Sequence, residues 1–139
     1  MTLAPQLSAD PECPQLETLK QLILTRKATV GVIGLGYVGL PFALEKAKVG
    51  FKVIGIEQNP KRAAQVNQAD SYIDAVTSAA LEQVVTSGHL KAVTHFAAVV
   101  DMDIIVICVP TPLTKNLTPD LSYVESVARE IGIRLRPGQ

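Results

Sequence analysis

The strongest constraint on this chain is a short apolar run that ends in a cluster of glycines. Residues 28–33, Ala-Thr-Val-Gly-Val-Ile, are rich in β-branched side chains, and residues 34–39 read Gly-Leu-Gly-Tyr-Val-Gly. A run of this length and composition is typical of a strand buried on both faces of a parallel sheet. Residues 42–49 then have helical character, and Pro41 is tolerated in a first helical turn. The pattern predicts a strand, a tight turn and a helix in succession.

The alternation of strands and helices continues along the chain. Asn59 and Pro60 supply an N-cap residue and a first-turn proline for a helix that reaches about residue 67. Further segments fit the pattern: strands over 51–56, 91–94 and 104–109, and a helix over 78–87. Because strands separated by helices pair in parallel through crossover connections, we predict an α/β fold, a Rossmann-type parallel sheet with helices on both faces.

Composition excludes several classes of partner. Thirteen basic residues balance thirteen acidic ones, which argues against nucleic acid or an anionic membrane surface as a partner. Cys13 and Cys108 have neither metal-site spacing nor a disulfide framework, so a reducing cytoplasm is the simpler expectation. No apolar run approaches the roughly twenty residues that cross a bilayer, and the N-terminus lacks a signal-peptide layout. We expect a soluble, cytoplasmic protein without a metal, a nucleic-acid partner or a membrane partner.

The glycine turn has the spacing that lets a backbone approach a phosphate. Gly34 can make the tight turn, Gly36 can admit a pyrophosphate, and Gly39 can let helix and strand pack closely. Free amides at the start of the helix would face the phosphates. A G-x-G-x-x-G pattern is weak evidence alone, and its position between a strand and a helix is what favours dinucleotide binding.

A carboxylate follows the second strand, where a dinucleotide-binding unit contacts the adenosine ribose. Glu57 lies 18 positions beyond Gly39. A carboxylate there accepts hydrogen bonds from the ribose hydroxyls and repels a 2′-phosphate, so the cofactor is expected to be NAD rather than NADP. The positive charges of Lys61 and Arg62 weaken that preference. The alternative is that Glu57 is only a solvated carboxylate at a strand end.

The two ends of the chain divide it into a leader and a domain. Residues 1–26 are predicted to be a leader, loose to about residue 15, with a short amphipathic helix over 16–24 that docks on the domain or on a partner chain. Residues 27–139 are predicted to be the N-terminal part of the Rossmann domain. Residues 122–125, Ser-Tyr-Val-Glu, fit a capping box for a last helix. Its predicted apolar stripe consists of Val124, Val127, Ala128, Ile131 and Leu135. Since a further strand is then due, we expect a domain that is incomplete at its C-terminus, with an uncovered sheet edge.

Several strings in order resemble the UDP-glucose/GDP-mannose dehydrogenase family. They are Val-Ile-Gly-Leu-Gly-Tyr-Val-Gly-Leu-Pro (32–41), Ser-Tyr-Ile-Asp (71–74), Cys-Val-Pro-Thr-Pro-Leu (108–113) and Pro-Asp-Leu-Ser-Tyr-Val-Glu (119–125). The resemblance runs from about residue 28 to the end and is closest in wording to the UDP-N-acetylglucosamine 6-dehydrogenase type. It implies NAD-dependent oxidation of a sugar-nucleotide C6 alcohol to a carboxylate. It also implies a homo-oligomeric full-length parent, with a catalytic cysteine, lysine and asparagine in later domains that hold the nucleotide sugar.

The resemblance also implies a role for individual residues. It puts the pyrophosphate at Gly36, Tyr37 and Val38, and the adenosine ribose at Glu57 with Arg62 beside it. Family members usually have Asp where Glu57 stands. The nicotinamide end would lie near Thr111, which has at most a supporting catalytic role. The candidate cofactor-binding residues are Gly34, Leu35, Gly36, Tyr37, Val38, Gly39, Glu57, Arg62, Val109, Pro110 and Thr111.

Other polar or reactive residues have simpler interpretations. Thr111 follows a strand at the sheet edge where ligands bind, but a threonine between prolines can equally satisfy local backbone groups. Cys108 is predicted to fill the core rather than to be the family's nucleophile. Asp101 and Asp103 are predicted to be solvated turn residues, and the two histidines to have surface or packing roles.

Three functions are compatible with the sequence. The first is the NAD-binding portion of a nucleotide-sugar 6-dehydrogenase, inactive alone because the catalytic domains are absent. The second is a truncated, non-catalytic NAD-binding remnant. The third is a domain like that of 3-hydroxyacid dehydrogenases, which open with the same glycine pattern.

Overall fold

The computed structural model describes residues 13–139, which form a four-stranded parallel sheet with helices on both faces. The strands are β1 (Thr29–Ile33), β2 (Lys52–Ile56), β3 (Leu90–Val93) and β4 (Ile104–Ile107). Their order in the sheet is β3-β2-β1-β4, with Val32 of β1 opposite Gly55 of β2 and Val106 of β4. The predicted α/β class and the parallel pairing are therefore confirmed.

Five α-helices and one 3-10 helix connect or flank these strands in the described part of the chain. The α-helices are α1 (Pro14–Leu24), α2 (Gly39–Lys48), α3 (Pro60–Asn67), α4 (Ser78–Thr86) and α5 (Ser122–Gly132). The 3-10 helix spans Phe96–Asp101 and was not predicted. It supplies the connection from β3 to β4 that the sequence pattern left without an element.

Each face of the sheet buries its own apolar cluster. On one face, Leu40 and Leu44 of α2 and Leu81 of α4 pack into a cluster that includes Val32 and Val53 of the strands. On the other face, Val127 and Ile131 of α5 pack with Ile33, Ile54 and Ile56, together with Val99 and Met102. Strands buried on both faces explain why the sequence shows continuous apolar runs rather than alternation.

The predicted cap of α3 is confirmed in detail, whereas the capping box predicted at the start of α5 does not form. Asn59 caps α3, and its side-chain Oδ1 accepts hydrogen bonds from the backbone N–H groups of Lys61 and Arg62. No side-chain cap bond forms at Leu121, the N-cap of α5. Instead, Asp120 accepts a hydrogen bond from the N–H of Ser122 at 2.9 Å, and hydrogen bonding to the Ser122 side chain and to this N–H lowers the pKa of the Asp120 carboxyl.

The predicted apolar stripe of α5 is confirmed only at its centre. Val127 and Ile131 are buried, but Ala128 is exposed. Leu135 lies beyond the end of the helix and is 56% exposed. The helix ends early because the chain turns at Arg134 and runs back toward the 3-10 helix.

Asp103 is not a solvated turn residue, which corrects the prediction from sequence. Its carboxylate accepts a hydrogen bond from the N–H of Thr29 at 2.8 Å and another from the guanidinium of Arg136 at 2.6 Å. Arg136 also donates to the carbonyls of Val100 and Met102. These contacts fasten the start of β1 and the residues after α5 to the turn before β4. The neighbouring Asp101 is exposed, as predicted.

The ends of the described chain bear on two further predictions. The predicted loose leader lies mostly in residues 1–12, outside the described part, and α1 begins at Pro14, two residues before the predicted helix. No helix within residues 13–139 is long and apolar enough to cross a membrane. Across these same residues, β4 pairs only with β1, so its other edge carries no strand.

Candidate functional site

A cleft of about 940 Å³ opens at the carboxyl ends of β1 and β4. The chain moves outward from β1 through β2 to β3 and then returns to β4 on the opposite side of β1, so the strand order reverses there. Open α/β sheets bind ligands at such a reversal, beyond the carboxyl ends of the strands. Of the residues predicted from sequence, the cleft brings together Gly34, Gly36, Tyr37, Val38, Glu57, Arg62, Val109 and Pro110.

Gly34 and Gly39 shape the turn by allowing close backbone contacts. Gly34 has φ +92°, and a Cβ atom there would lie 2.5 Å from the carbonyl oxygen of Cys108. A Cβ atom on Gly39 would overlap the carbonyl oxygen of Gly34 and lie 2.9 Å from its carbonyl carbon. Only glycine fits both positions, because one needs a left-handed backbone and the other needs direct contact between helix and turn. Gly39 therefore packs under the cleft and does not line it.

Gly36 differs from these two glycines because the space beside it is open. A Cβ atom built on Gly36 would meet nothing within 4 Å, and its φ is not in the left-handed region. The backbone N–H groups of Gly36, Tyr37 and Val38 donate to no group in residues 13–139. Tyr37 and Val38 are 84% and 70% exposed. Three consecutive residues thus offer free amide donors beside open space, immediately before α2 begins.

Glu57 lies at the floor of the cleft and is only 8% exposed. Its Oε2 accepts a hydrogen bond from the N–H of Leu35 at 3.2 Å, and its Oε1 accepts one from the N–H of Asn59 at 3.0 Å. The alternative interpretation, a solvated strand-end carboxylate, is therefore wrong. Each oxygen keeps acceptor capacity for a further donor, because a carboxylate offers about four lone-pair sites.

Tyr72 contacts the same turn from the connection between α3 and α4. Its hydroxyl donates a hydrogen bond to the carbonyl oxygen of Leu35 at 2.6 Å, and the Arg62 guanidinium lies 5.4 Å from its ring centroid. Burial, and secondly the Glu57 carboxylate, raise the pKa of Tyr72 to about 12, and Arg62 opposes the shift. The string Ser-Tyr-Ile-Asp (71–74) is one of those that resemble the family, but the contact of Tyr72 with the glycine turn was not predicted.

Two more of the predicted site residues, Leu35 and Thr111, do not line the cleft, and Cys108, which was not predicted to, does. Leu35 is fully buried, with its side chain against Gly55 and its backbone groups bonded to Glu57 and Tyr72. Thr111 is exposed and is not part of the lining of the cleft. Cys108, predicted to be buried core, is half-buried and lines the cleft, and burial raises the pKa of its thiol.

The cleft also has lining residues that sequence reasoning missed. Those with polar or aromatic side chains are Gln58 after β2, Phe96 of the 3-10 helix, and Ser122, Tyr123 and Ser126 on α5. Ser122 and Ser126 are four positions apart, which puts them on one side of α5. That spacing was readable in the sequence, but which side of α5 faces the sheet depends on packing.

Comparison with known proteins shows which family this chain resembles. Residues 28–139 match the model of the UDP-glucose/GDP-mannose dehydrogenase family, NAD binding domain. A GDP-mannose 6-dehydrogenase from Pseudomonas aeruginosa is 38% identical over 109 residues, which are 77% of this chain and 25% of that protein. A UDP-N-acetyl-D-mannosamine dehydrogenase from Escherichia coli K12 is 38% identical over 112 residues, 80% of this chain and 26% of that protein.

Solved structures agree with this match. The crystal structure of a ternary complex of the Pseudomonas aeruginosa GDP-mannose dehydrogenase has a TM-score of 0.73 at 38% identity, and the similarity covers 78% of this chain and 25% of that chain. This chain thus spans about a quarter of the length of the relatives it matches. The same identity to enzymes named for different sugars means that this segment does not identify the sugar.

Proposed function

This chain belongs to the UDP-glucose/GDP-mannose dehydrogenase family, whose NAD-binding domain it contains, and we propose that it holds NAD in the cleft between β1 and β4. The observation that carries the assignment of the site is the open space beside Gly36, where three amide donors lack partners within residues 13–139. Such donors bind a pyrophosphate, which supplies several acceptor oxygens and negative charge. The family match does not support the alternative that this is a domain like that of 3-hydroxyacid dehydrogenases.

The residues of the cleft fit NAD from end to end in this proposal. Gly36, Tyr37 and Val38 would donate to the pyrophosphate, and Glu57 would accept from the adenosine ribose hydroxyls. The buried charge of Glu57 would repel a 2′-phosphate, so NAD is preferred to NADP. Glu57 reaches the ribose while still holding two backbone amides, because each of its oxygens has one further acceptor site.

The nicotinamide end of the cofactor would lie toward the residues after β4. NAD, when bound, accepts a hydride from the alcohol that is oxidised. Val109 and Pro110 line this side of the cleft and would exclude water from the ring, together with Val127 of α5. Thr111 lies just beyond them in an exposed segment, and its supporting role near the nicotinamide stays a prediction.

The reaction and the substrate belong to the longer protein that the family implies. We propose that the parent oxidises the C6 alcohol of a nucleotide sugar to a carboxylate and uses NAD as hydride acceptor. The matched relatives include a GDP-mannose 6-dehydrogenase, which supports the substrate class but not a particular sugar. Membership of the UDP-N-acetylglucosamine 6-dehydrogenase branch, which rests on the similarity of short strings, stays a prediction. A cytoplasmic location, a homo-oligomeric parent and the division into a leader (1–26) and a domain (27–139) also stay predictions.

We further propose that residues 1–139 alone bind NAD without oxidising a sugar. The resemblance implies a catalytic cysteine, lysine and asparagine in later domains, and covalent catalysis does not proceed without its nucleophile. This state is also the one expected of a non-catalytic NAD-binding remnant, and only the activity of the longer parent separates the two.

Calorimetry and an activity assay test the two parts of the proposal together. Titration of the purified chain with NAD should show saturable binding, and titration with NADP should show much weaker binding. The same chain with UDP-glucose, UDP-N-acetylglucosamine or GDP-mannose should give no growth of NADH absorbance. Equal or tighter binding of NADP would contradict the role of Glu57. Turnover that tracks the protein and disappears in Gly36→Val would show that catalysis resides in these residues.

A further inference from the structure

Tyr72 is outside the glycine turn in sequence, but its hydroxyl contacts the turn at 2.6 Å. We infer that Tyr72 is a positioning residue, which orients the peptide between Leu35 and Gly36 so that the Gly36 amide is available to the cofactor. The inference rests on the proposed function, because it assigns a cause to the geometry of that site. Tyr72 does not line the cleft, so it acts through the turn and not by touching the cofactor.

Leu35 is held at three points, and Tyr72 supplies one of them. The side chain of Leu35 packs against Gly55, where a Cβ atom would come within 2.6 Å of it. The N–H of Leu35 donates to Glu57, and its carbonyl accepts from Tyr72. Glu57 therefore fixes the peptide before Leu35, and Tyr72 fixes the peptide after it. In residues 13–139 no other group donates to that carbonyl, so the hydroxyl alone sets its direction.

The direction of the Leu35 carbonyl decides the direction of the next amide. In a trans peptide the C=O and the following N–H point to opposite sides, and no cis peptide occurs in the described chain. With the carbonyl directed at Tyr72, the N–H of Gly36 points away from Tyr72. Glycine at position 36 makes the reverse arrangement accessible, because a flip of this peptide moves φ of the second residue to positive values. A flipped peptide would replace the amide donor by a carbonyl oxygen, which repels phosphate.

The surroundings of Tyr72 keep its hydroxyl in the donor state. Burial and the nearby Glu57 carboxylate raise the pKa of Tyr72 to about 12, so the hydroxyl is protonated near neutral pH. The Arg62 guanidinium over the ring, 5.4 Å from its centroid, ties the tyrosine to α3. Tyr72, which orients the turn, is thus in contact with α3, the helix that follows Glu57 in sequence.

The test is Tyr72→Phe in the full 139-residue chain, because phenylalanine keeps the ring under Arg62 and removes only the hydroxyl. The matched control is Thr25→Val, which removes a hydroxyl that donates to the carbonyl of Gln21, also at 2.6 Å, at the end of α1 and away from the cleft. Both variants are compared with the parent chain by amide hydrogen exchange without cofactor, and by titration with NAD, ADP-ribose and adenosine. All measurements are made well below the thermal midpoint of each variant.

The inference predicts a local effect on the turn and a ligand effect that depends on the pyrophosphate. In Tyr72→Phe, exchange of the Leu35 amide, which is hydrogen-bonded to Glu57, should accelerate roughly fivefold or more, as expected from the loss of one neutral hydrogen bond that orders the turn. The dissociation constants of NAD and ADP-ribose should rise roughly five- to tenfold, and that of adenosine should change little. Thr25→Val should leave exchange in the turn and all three affinities unchanged.

Two results would overturn the inference, and neither is confused with failure of the proposed function. Unchanged exchange at Leu35 in Tyr72→Phe would show that the hydroxyl does not order the turn. An equal loss of affinity for adenosine and NAD would show a general structural role. If the parent chain binds no NAD, the proposed function fails, and the exchange experiment still decides whether Tyr72 orients the peptide.

Discussion

Replacing Gly36 with valine should abolish NAD binding and leave the fold intact. The backbone at Gly36 is outside the left-handed region, and a Cβ atom there meets nothing within 4 Å, so the folded chain accepts the side chain. The unfolding free energy should change by less than about 1 kcal/mol, and Tm by less than about 5 °C. NAD affinity should fall by about 3 kcal/mol or more, or roughly a hundredfold, because the side chain occupies the space of the pyrophosphate and separates it from the amides.

Gly39→Ala is the matched comparison, because the structure predicts the opposite pattern for it. The added Cβ atom would overlap the carbonyl oxygen of Gly34 and lie 3.2 Å from Cβ of Cys108. Such overpacking costs about 1–3 kcal/mol, which lowers Tm by roughly 5–15 °C in a chain of this size. Thermal unfolding followed by circular dichroism and calorimetric titration with NAD measure both effects. The reasoning is refuted if Gly36→Val loses as much stability as Gly39→Ala, or if it binds NAD like the parent chain.

The remaining predictions concern three side chains. Glu57→Gln should weaken NAD binding by about 1–2 kcal/mol and reduce the preference for NAD over NADP, because the charge is lost while one acceptor oxygen remains. Calorimetry that shows unchanged selectivity would contradict this prediction. In the difference between alkaline absorbance titrations of the parent and Tyr72→Phe, Tyr72 should titrate at about 12. Since the folded state holds that proton more tightly than the unfolded state, its contribution to stability is present below pH 10 and lost as pH rises toward 12. Asp103→Ala should lower the unfolding free energy by about 1.5–3 kcal/mol in urea denaturation, because Thr29 and Arg136 lose their acceptor. A change within about 0.5 kcal/mol would show that Asp103 contributes no more than a solvated turn residue does.

Features that depend on neighbouring residues in sequence could be predicted well. The cap at Asn59 and the proline after it gave the start of α3, because a capping side chain bonds amides two and three positions away. The glycine turn was recognised for the same reason, since its strand, turn and helix are contiguous. The parallel pairing followed from the alternation of strands and helices, whereas the reversal of strand order between β1 and β4 was not predicted.

Features that depend on distant residues could not be predicted. The bond from Arg136 to Asp103 joins residues 33 positions apart, and the bond from Tyr72 to Leu35 joins residues 37 apart. Nothing near Asp103 in sequence distinguishes it from the exposed Asp101. At α5 the capping-box pattern was present but unused, because the Ser122 amide donates to Asp120 and the Glu125 amide donates to the Leu121 carbonyl. Local pattern therefore gave the glycine turn, and tertiary contacts decided what holds that turn in place.

The chain's backbone amides offer the most direct test of the central claim, that NAD binds at the carboxyl ends of β1 and β4 through the glycine turn. Two-dimensional NMR of the isotopically labelled chain, titrated with NAD, follows each amide separately. The account predicts saturable shifts at Gly36, Tyr37 and Val38, with smaller shifts at Glu57 and Val109 and none in α1. Shifts that are absent from residues 36–38, or that lie mainly elsewhere in the sheet, would contradict it.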